Sequence, residues 1–146
     1  MGRLKGVAFS LLMIVGCGAA QATDDPVETR KKLMLGNAGA AGAAVAMLKG
    51  EIPFSPAVAN AVFATMNATA HAYGDYFPEG SDTGDTEAAP AIWEDMAGFQ
   101  AAVAKFREDT GAAVAAKPET LEAFQPVFAS VAQNCNSCHE DYRIEK

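Results

Sequence analysis

Five residues near the C-terminal end constrain this chain more than any other feature: Cys135-Asn136-Ser137-Cys138-His139. Two thiols separated by two residues, with histidine directly after the second, form the attachment pattern of a c-type haem. Each thiol can add to one vinyl group, and the imidazole is then held beside the iron as its proximal ligand. On a helix Cys135 and His139 lie four residues apart with Cys138 beside them, so one face carries all three bonds. Whatever the fold, it must therefore seat a flat macrocycle against its last element. Two other readings of the cysteine pair fit less well. A structural zinc site needs four ligands, and beyond the motif only Cys17 and His71 remain to supply them. No βαβ pattern surrounds the pair, as it would in a thioredoxin-like redox protein.

The other end of the chain reads as an export signal. Arg3 and Lys5 precede an apolar run from Val7 to Val15, too short to span a bilayer, and Ala20-Gln21-Ala22 is a small-x-small cleavage site. Residues 1–22 are thus expected to be a signal peptide and residues 23–146 a single mature, exported domain. A second reading takes Ile14-Val15-Gly16-Cys17 as a lipoprotein processing box, with Cys17 as a lipidated anchor. Without Arg3 and Lys5, nine basic residues face eighteen acidic ones. That balance repels the phosphates of nucleic acid and favours protein partners with basic docking surfaces. No later apolar stretch is long enough for a transmembrane segment, and the two cysteines left after cleavage both belong to the haem motif, so no disulfide is expected.

Between these ends the hydrophobic pattern is helical throughout. Helix A begins at Pro26, a residue suited to a first helical turn, and carries Val27, Lys31, Met34, Ala38, Ala41, Val45 and Leu48 at alternating steps of four and three, ending near Gly50. Its middle, Gly36 to Ala46, is almost all small residues, and each glycine costs up to about 1 kcal/mol of helix propensity. Close approach to the haem, to the next helix or to a second subunit would offset that cost; tolerated glycines in an alanine-rich helix would need no offset. Ser55 and Pro56 open helix B, with Val58, Val62, Met66 and Ala70 on its apolar face and fraying expected at Tyr73-Gly74. Residues 74–89 hold five acids among glycines and prolines and read as a loop with Tyr76-Phe77-Pro78 as its apolar knot. Helix C, from Pro90, carries Ile92, Met96, Phe99, Val103, Phe106 and Thr110, with Gly111 and Lys117-Pro118 closing it. Helix D has the clearest stripe: Leu121, Phe124, Phe128, Val131, Cys135, Cys138 and Tyr142. Pro126 should kink it. Four amphipathic helices without a strand candidate predict an all-α fold, an antiparallel four-helix bundle with a covalently attached haem. Monomer and homodimer both remain open.

The sixth ligand of the iron decides the function. Only seven residues follow His139, and none is methionine or histidine, so a distal ligand has to come from upstream. Met47, Met66 and Met96 read as core, and His71, near the end of helix B, as a surface or capping residue.

A bundle with this motif on its last helix, followed by an aromatic residue and an arginine as in His139-Glu140-Asp141-Tyr142-Arg143, resembles the class II cytochromes c, the cytochrome c′ family. Lys32-Leu33-Met34, Lys49-Gly50-Glu51 with Pro53, Phe77-Pro78, Ile92-Trp93 and Gln125-Pro126 are similar to its low-spin branch. The resemblance covers essentially the whole mature chain. It implies one haem c, bound through Cys135 and Cys138, with His139 proximal and Met34 at the distal ligand position. Methionine and histidine together raise a haem's potential and suit it to electron transfer. The expectation is a periplasmic electron carrier exchanging electrons with redox proteins, not an enzyme; the alternative is a five-coordinate, high-spin member binding nitric oxide or carbon monoxide, with Met34 as mere packing. The resemblance also puts Arg143 beside the proximal imidazole. Arg30 and Lys31, one turn before Met34, are candidates to pair with haem propionates, and Trp93 and Phe77 either wall the haem or fill the core.

Overall fold

The computed structural model describes residues 25–144. The expected signal peptide, with Cys17, lies outside the described residues. Helix α1, Pro26–Leu48, starts where Asp25 accepts hydrogen bonds from the amides of Val27 and Glu28, at 2.8 and 3.4 Å, with Pro26 in the first turn. Helix α2, Pro56–Ala72, is capped by the Ser55 hydroxyl and runs into a 3-10 turn at Tyr73–Tyr76. The single helix expected from Pro90 is in fact two. A one-turn helix α3, Ala91–Glu94, ends at Asp95, whose backbone leaves the helical region and whose side chain accepts from the Gly98 amide at 3.0 Å, capping α4, Met96–Ala116. Gly111 does not close α4, which continues to Lys117 in the left-handed region (φ 42°) ahead of Pro118. Helix α5, Leu121–Tyr142, capped by Thr120, stays α-helical through Pro126.

The four long helices form a bundle in which α1 packs on α2, α2 on α4 and α4 on α5, while α1 and α5 touch far less. Asn67 of α2 donates to Thr110 of α4, and Gln100 of α4 to the Gly74 carbonyl just after α2, so these two run antiparallel. One core cluster unites all four long helices through Ala44, Met47, Phe63, Met66, Ala113, Phe124 and Val131. A second, built on Phe77, Ile92, Phe99 and Val103, lies under the loop that follows α2. Fully burying an aromatic of this kind stabilises by roughly 1.5–3 kcal/mol, so the two clusters supply most of what holds the helices in place. No strand occurs among the described residues. An isolated bridge pairs Ala88 with Arg143, and it ties the loop to the end of α5 through Ala89 N–H to Tyr142 C=O, 3.0 Å, and Ile144 N–H to Glu87 C=O, 2.9 Å.

The buried side of α1 runs through Arg30, Ala44 and Met47, with Met34 and Asn37 half-buried; Lys31, Met34, Ala38 and Ala41 of the predicted stripe border one cavity, and Val45 is exposed. Gly36, Gly39 and Gly42 face open space: a Cβ added at any of them would meet nothing within 4 Å, so none of them permits a close approach within the chain.

Candidate haem site

The seam between α1 and α5, where the bundle is least closed, holds a cavity of about 780 Å³. This is within the roughly 300–1,000 Å³ of typical cofactor and ligand sites. Met34, Asn37 and Ala41 line it from α1, Met66 from α2, Phe99, Val103 and Phe106 from α4, and Cys135, Cys138 and His139 from α5. The apolar stripe of α5 brought the whole motif here. Both cysteines are half-buried. Burial pushes the Cys138 thiol up to about 11, with the nearby Cys135 and Asp141 adding to the effect, and burial likewise raises Cys135. Partial desolvation lowers the pKa of His139, the positive charge of Arg143 acts in the same direction, and Glu87 opposes both. A neutral imidazole is the form that binds a metal.

The donor set and the cavity fit a haem. Two thiols stand one turn apart beside an imidazole, an apolar chamber lies before them, and a thioether stands in its α1 wall. The side-chain oxygen of Asn37 is buried there with no hydrogen-bond partner, which marks the wall as built for more than apolar packing.

The other expected residues divide. Arg30 borders the cavity but is only 3% exposed, and its guanidinium is engaged by the loop: Nη1 donates to Tyr76 C=O (3.2 Å) and Ser81 Oγ (3.0 Å), Nη2 to Ser81 C=O (2.7 Å) and Thr86 Oγ1 (2.6 Å). It also lies 4.8 Å from the Phe77 ring centroid and 5.6 Å from that of Trp93. Its terminal nitrogens, with these four acceptors around them, clamp the loop to α1. Lys31 is turned to Glu28 and Asp85, at 3.1 and 2.8 Å. Trp93 does not line the cavity; its Nε1 donates to Pro78 C=O at 3.1 Å and its ring packs on Phe77, so it holds the loop. Arg143 lines the cavity mouth, paired with Glu87 at 2.7 Å. His71 is exposed and Met47 lies in the core.

Two wall residues escaped the sequence reading. Tyr73 lines the cavity with its phenol pushed up to about 12 by burial, with Cys138 the next contribution, so it stays a neutral donor. Asn37 stands one helical turn beyond Met34, and that spacing was the available signal.

An all-helical bundle with a thiol-anchored, histidine-bearing chamber between its first and last helices defines a class: bundle cytochromes of the c type. Within that class the chain belongs to the cytochrome c′ family, whose profile matches residues 25–143. It is 35% identical over 144 residues to a cytochrome c-556 of Agrobacterium fabrum, covering 99% of this chain and 98% of that protein. It is 34% identical over 148 residues to a cytochrome c′ of Rhodopseudomonas palustris, covering 99% of each. Among solved structures, cytochrome c′ from Rhodopseudomonas palustris superimposes with a TM-score of 0.79 at 34% identity, over 84% of this chain and 98% of that one. Membership makes the protein a monohaem cytochrome and implies covalently bound haem c. The family comprises electron carriers and gas-binding proteins, typically periplasmic. No helix among the described residues is long and apolar enough to cross a membrane.

Proposed function

We propose that this protein is a periplasmic, low-spin electron carrier, exported by a signal peptide over residues 1–22, with residues 23–146 as its haem domain. Cys135 and Cys138 hold the haem by thioether bonds, His139 is the proximal ligand and Met34 the distal one. The observation that carries the reading is that Met34 of α1 and His139 of α5 line the same cavity. Haem bound there supplies a reversible one-electron couple at its iron. The chain's residues do the rest. His139, its pKa lowered by partial burial and by Arg143, presents a nitrogen lone pair, and Met34 presents a soft sulfur that carries no proton at any working pH. The aromatic residues Phe99 and Phe106 and the half-buried Tyr73 and Tyr142 keep water from the chamber, which limits reorganisation on electron exchange.

The acidic surface, pI about 4.7 for the whole chain, supports redox partners with basic docking surfaces. The relatives called cytochrome c-556 support the carrier reading, and a cytochrome c′ of almost equal identity supports a second one, in which Met34 only packs and the distal face is left to nitric oxide or carbon monoxide. Visible spectra decide between them. The carrier gives sharp, split ferrous bands indifferent to carbon monoxide, and Met34→Ala converts it to high spin. A parent spectrum that is already high spin, or a Met34→Ala protein that remains low spin, removes Met34 from the role.

A further inference from the structure

We propose that Asn37 is a positioning residue for the distal sulfur: its amide holds Met34 toward the cavity and sets how readily a foreign ligand displaces it. The proposal rests on the ligation of Met34 described above and goes beyond it by assigning a second residue to the distal wall.

Asn37 follows Met34 by three residues on α1, so the two share a helical face. Its Nδ2 donates to the Met34 sulfur at 3.9 Å, a long contact suited to a weak sulfur acceptor. Two methionines line the cavity, Met34 and Met66, and among the described residues only Met34 receives an amide donor there. Methionine is unbranched, with three rotatable bonds, and unaided it samples several rotamers. A donor on one sulfur lone pair restricts that sampling and leaves the other free to face the iron.

The same amide is unfavourable on structural grounds. Its Oδ1 is buried with no hydrogen-bond partner, and a leucine of similar size would fill the position without stranding an acceptor. A residue kept for packing alone has no reason to be polar here. Folding stability is given up at a place where polarity meets the sulfur.

The opposing signs supply the test. Holoprotein carrying Asn37→Leu, and separately Asn37→Ala, is titrated in the ferric state with imidazole, followed by its visible spectrum, and melted thermally. Loss of one hydrogen bond to the sulfur should tighten imidazole binding by about three- to tenfold in both variants. The leucine variant should melt no lower than the parent. Unchanged imidazole affinity in both variants overturns the proposal, as does tighter binding accompanied by a lower melting temperature for the leucine variant, which would mark a merely structural role. Met34→Ala holoprotein in the same titration separates the two levels. If it stays low spin, the ligation itself fails; if it turns high spin while both Asn37 variants match the parent, only the role of Asn37 is lost.

Discussion

Replacing Arg30 by methionine tests the most densely bonded side chain among the described residues. Its guanidinium donates four hydrogen bonds of 2.6–3.2 Å to Tyr76, Ser81 and Thr86 and lies against the faces of Phe77 and Trp93. Hydrogen bonds to a charged group are worth about 1.5–3 kcal/mol each, and a cation–π contact about 0.5–2 kcal/mol. The losses do not add in full, because the loop can swing out and give its carbonyls and hydroxyls to water. The realistic cost is about 3–5 kcal/mol, the worth of about two such hydrogen bonds. Much of it should appear locally, as an opening of residues 77–88, whose Asp85, Thr86, Glu87 and Ala88 also border the cavity. Urea unfolding gives the total and amide hydrogen exchange gives the place. Arg30→Lys keeps the charge but has neither the planar fork nor the reach for four acceptors, so it should recover less than half of the loss. A loss below about 1 kcal/mol for the methionine variant, with exchange in the loop unchanged, would refute the clamp.

Two further predictions concern the helices. Gly42→Ala should raise stability by about 0.5–1 kcal/mol in thermal or urea unfolding, since a Cβ there meets nothing within 4 Å and α1 gains propensity; a loss would reveal a contact of this face that the single chain does not contain. Asp109 accepts from Lys105 at 2.8 Å and from Asn134 at 2.7 Å, and these bonds, Lys105 first, hold its carboxyl below the usual range. A depressed folded-state pKa contributes stability that is complete above the unfolded pKa and is lost as pH falls through the folded one. Asp109→Leu should therefore cost about 1 kcal/mol near neutral pH, and the gap from the parent should shrink as the solution is taken below about pH 4; a gap independent of pH would disprove the linkage.

Much of this architecture was legible because local chemistry and the final packing agree. Pro26 and Ser55-Pro56 mark the helix starts where the structure has them, and the stripe of α5 from Phe124 to Tyr142 points into the core and the cavity as its spacing predicts. The sequence misled where a distant partner overrides a residue's own character. Arg30 reads as a candidate partner for haem propionates, and only the return of the loop at Ser81 and Thr86, some fifty residues later, makes its burial tolerable. Asp95 interrupts a continuous apolar pattern by capping α4 from within it, a switch that steps of three and four do not reveal. Trp93 reads as either a haem wall or a core aromatic, and its packing on Phe77 with its indole N–H on Pro78 makes it the second. Of the cavity's residues, the Cys-x-x-Cys-His group was readable from composition and spacing alone. Tyr73 was not, since nothing local distinguishes a phenol that faces a chamber from one that faces water, and for Asn37 the one-turn spacing from Met34 was the sole signal.

The slight contact between α1 and α5 has a thermodynamic consequence. If His139 and Met34 both bound one iron, as proposed, the prosthetic group would tie together two points separated by roughly a hundred residues of chain, and closing a loop of that length would remove about 4–5 kcal/mol worth of denatured-state freedom for as long as the coordinate bond to sulfur held. Oxidation or displacement of one sulfur atom would then loosen the first helix from the last, and the lifetime of that bond becomes a clock for the whole bundle.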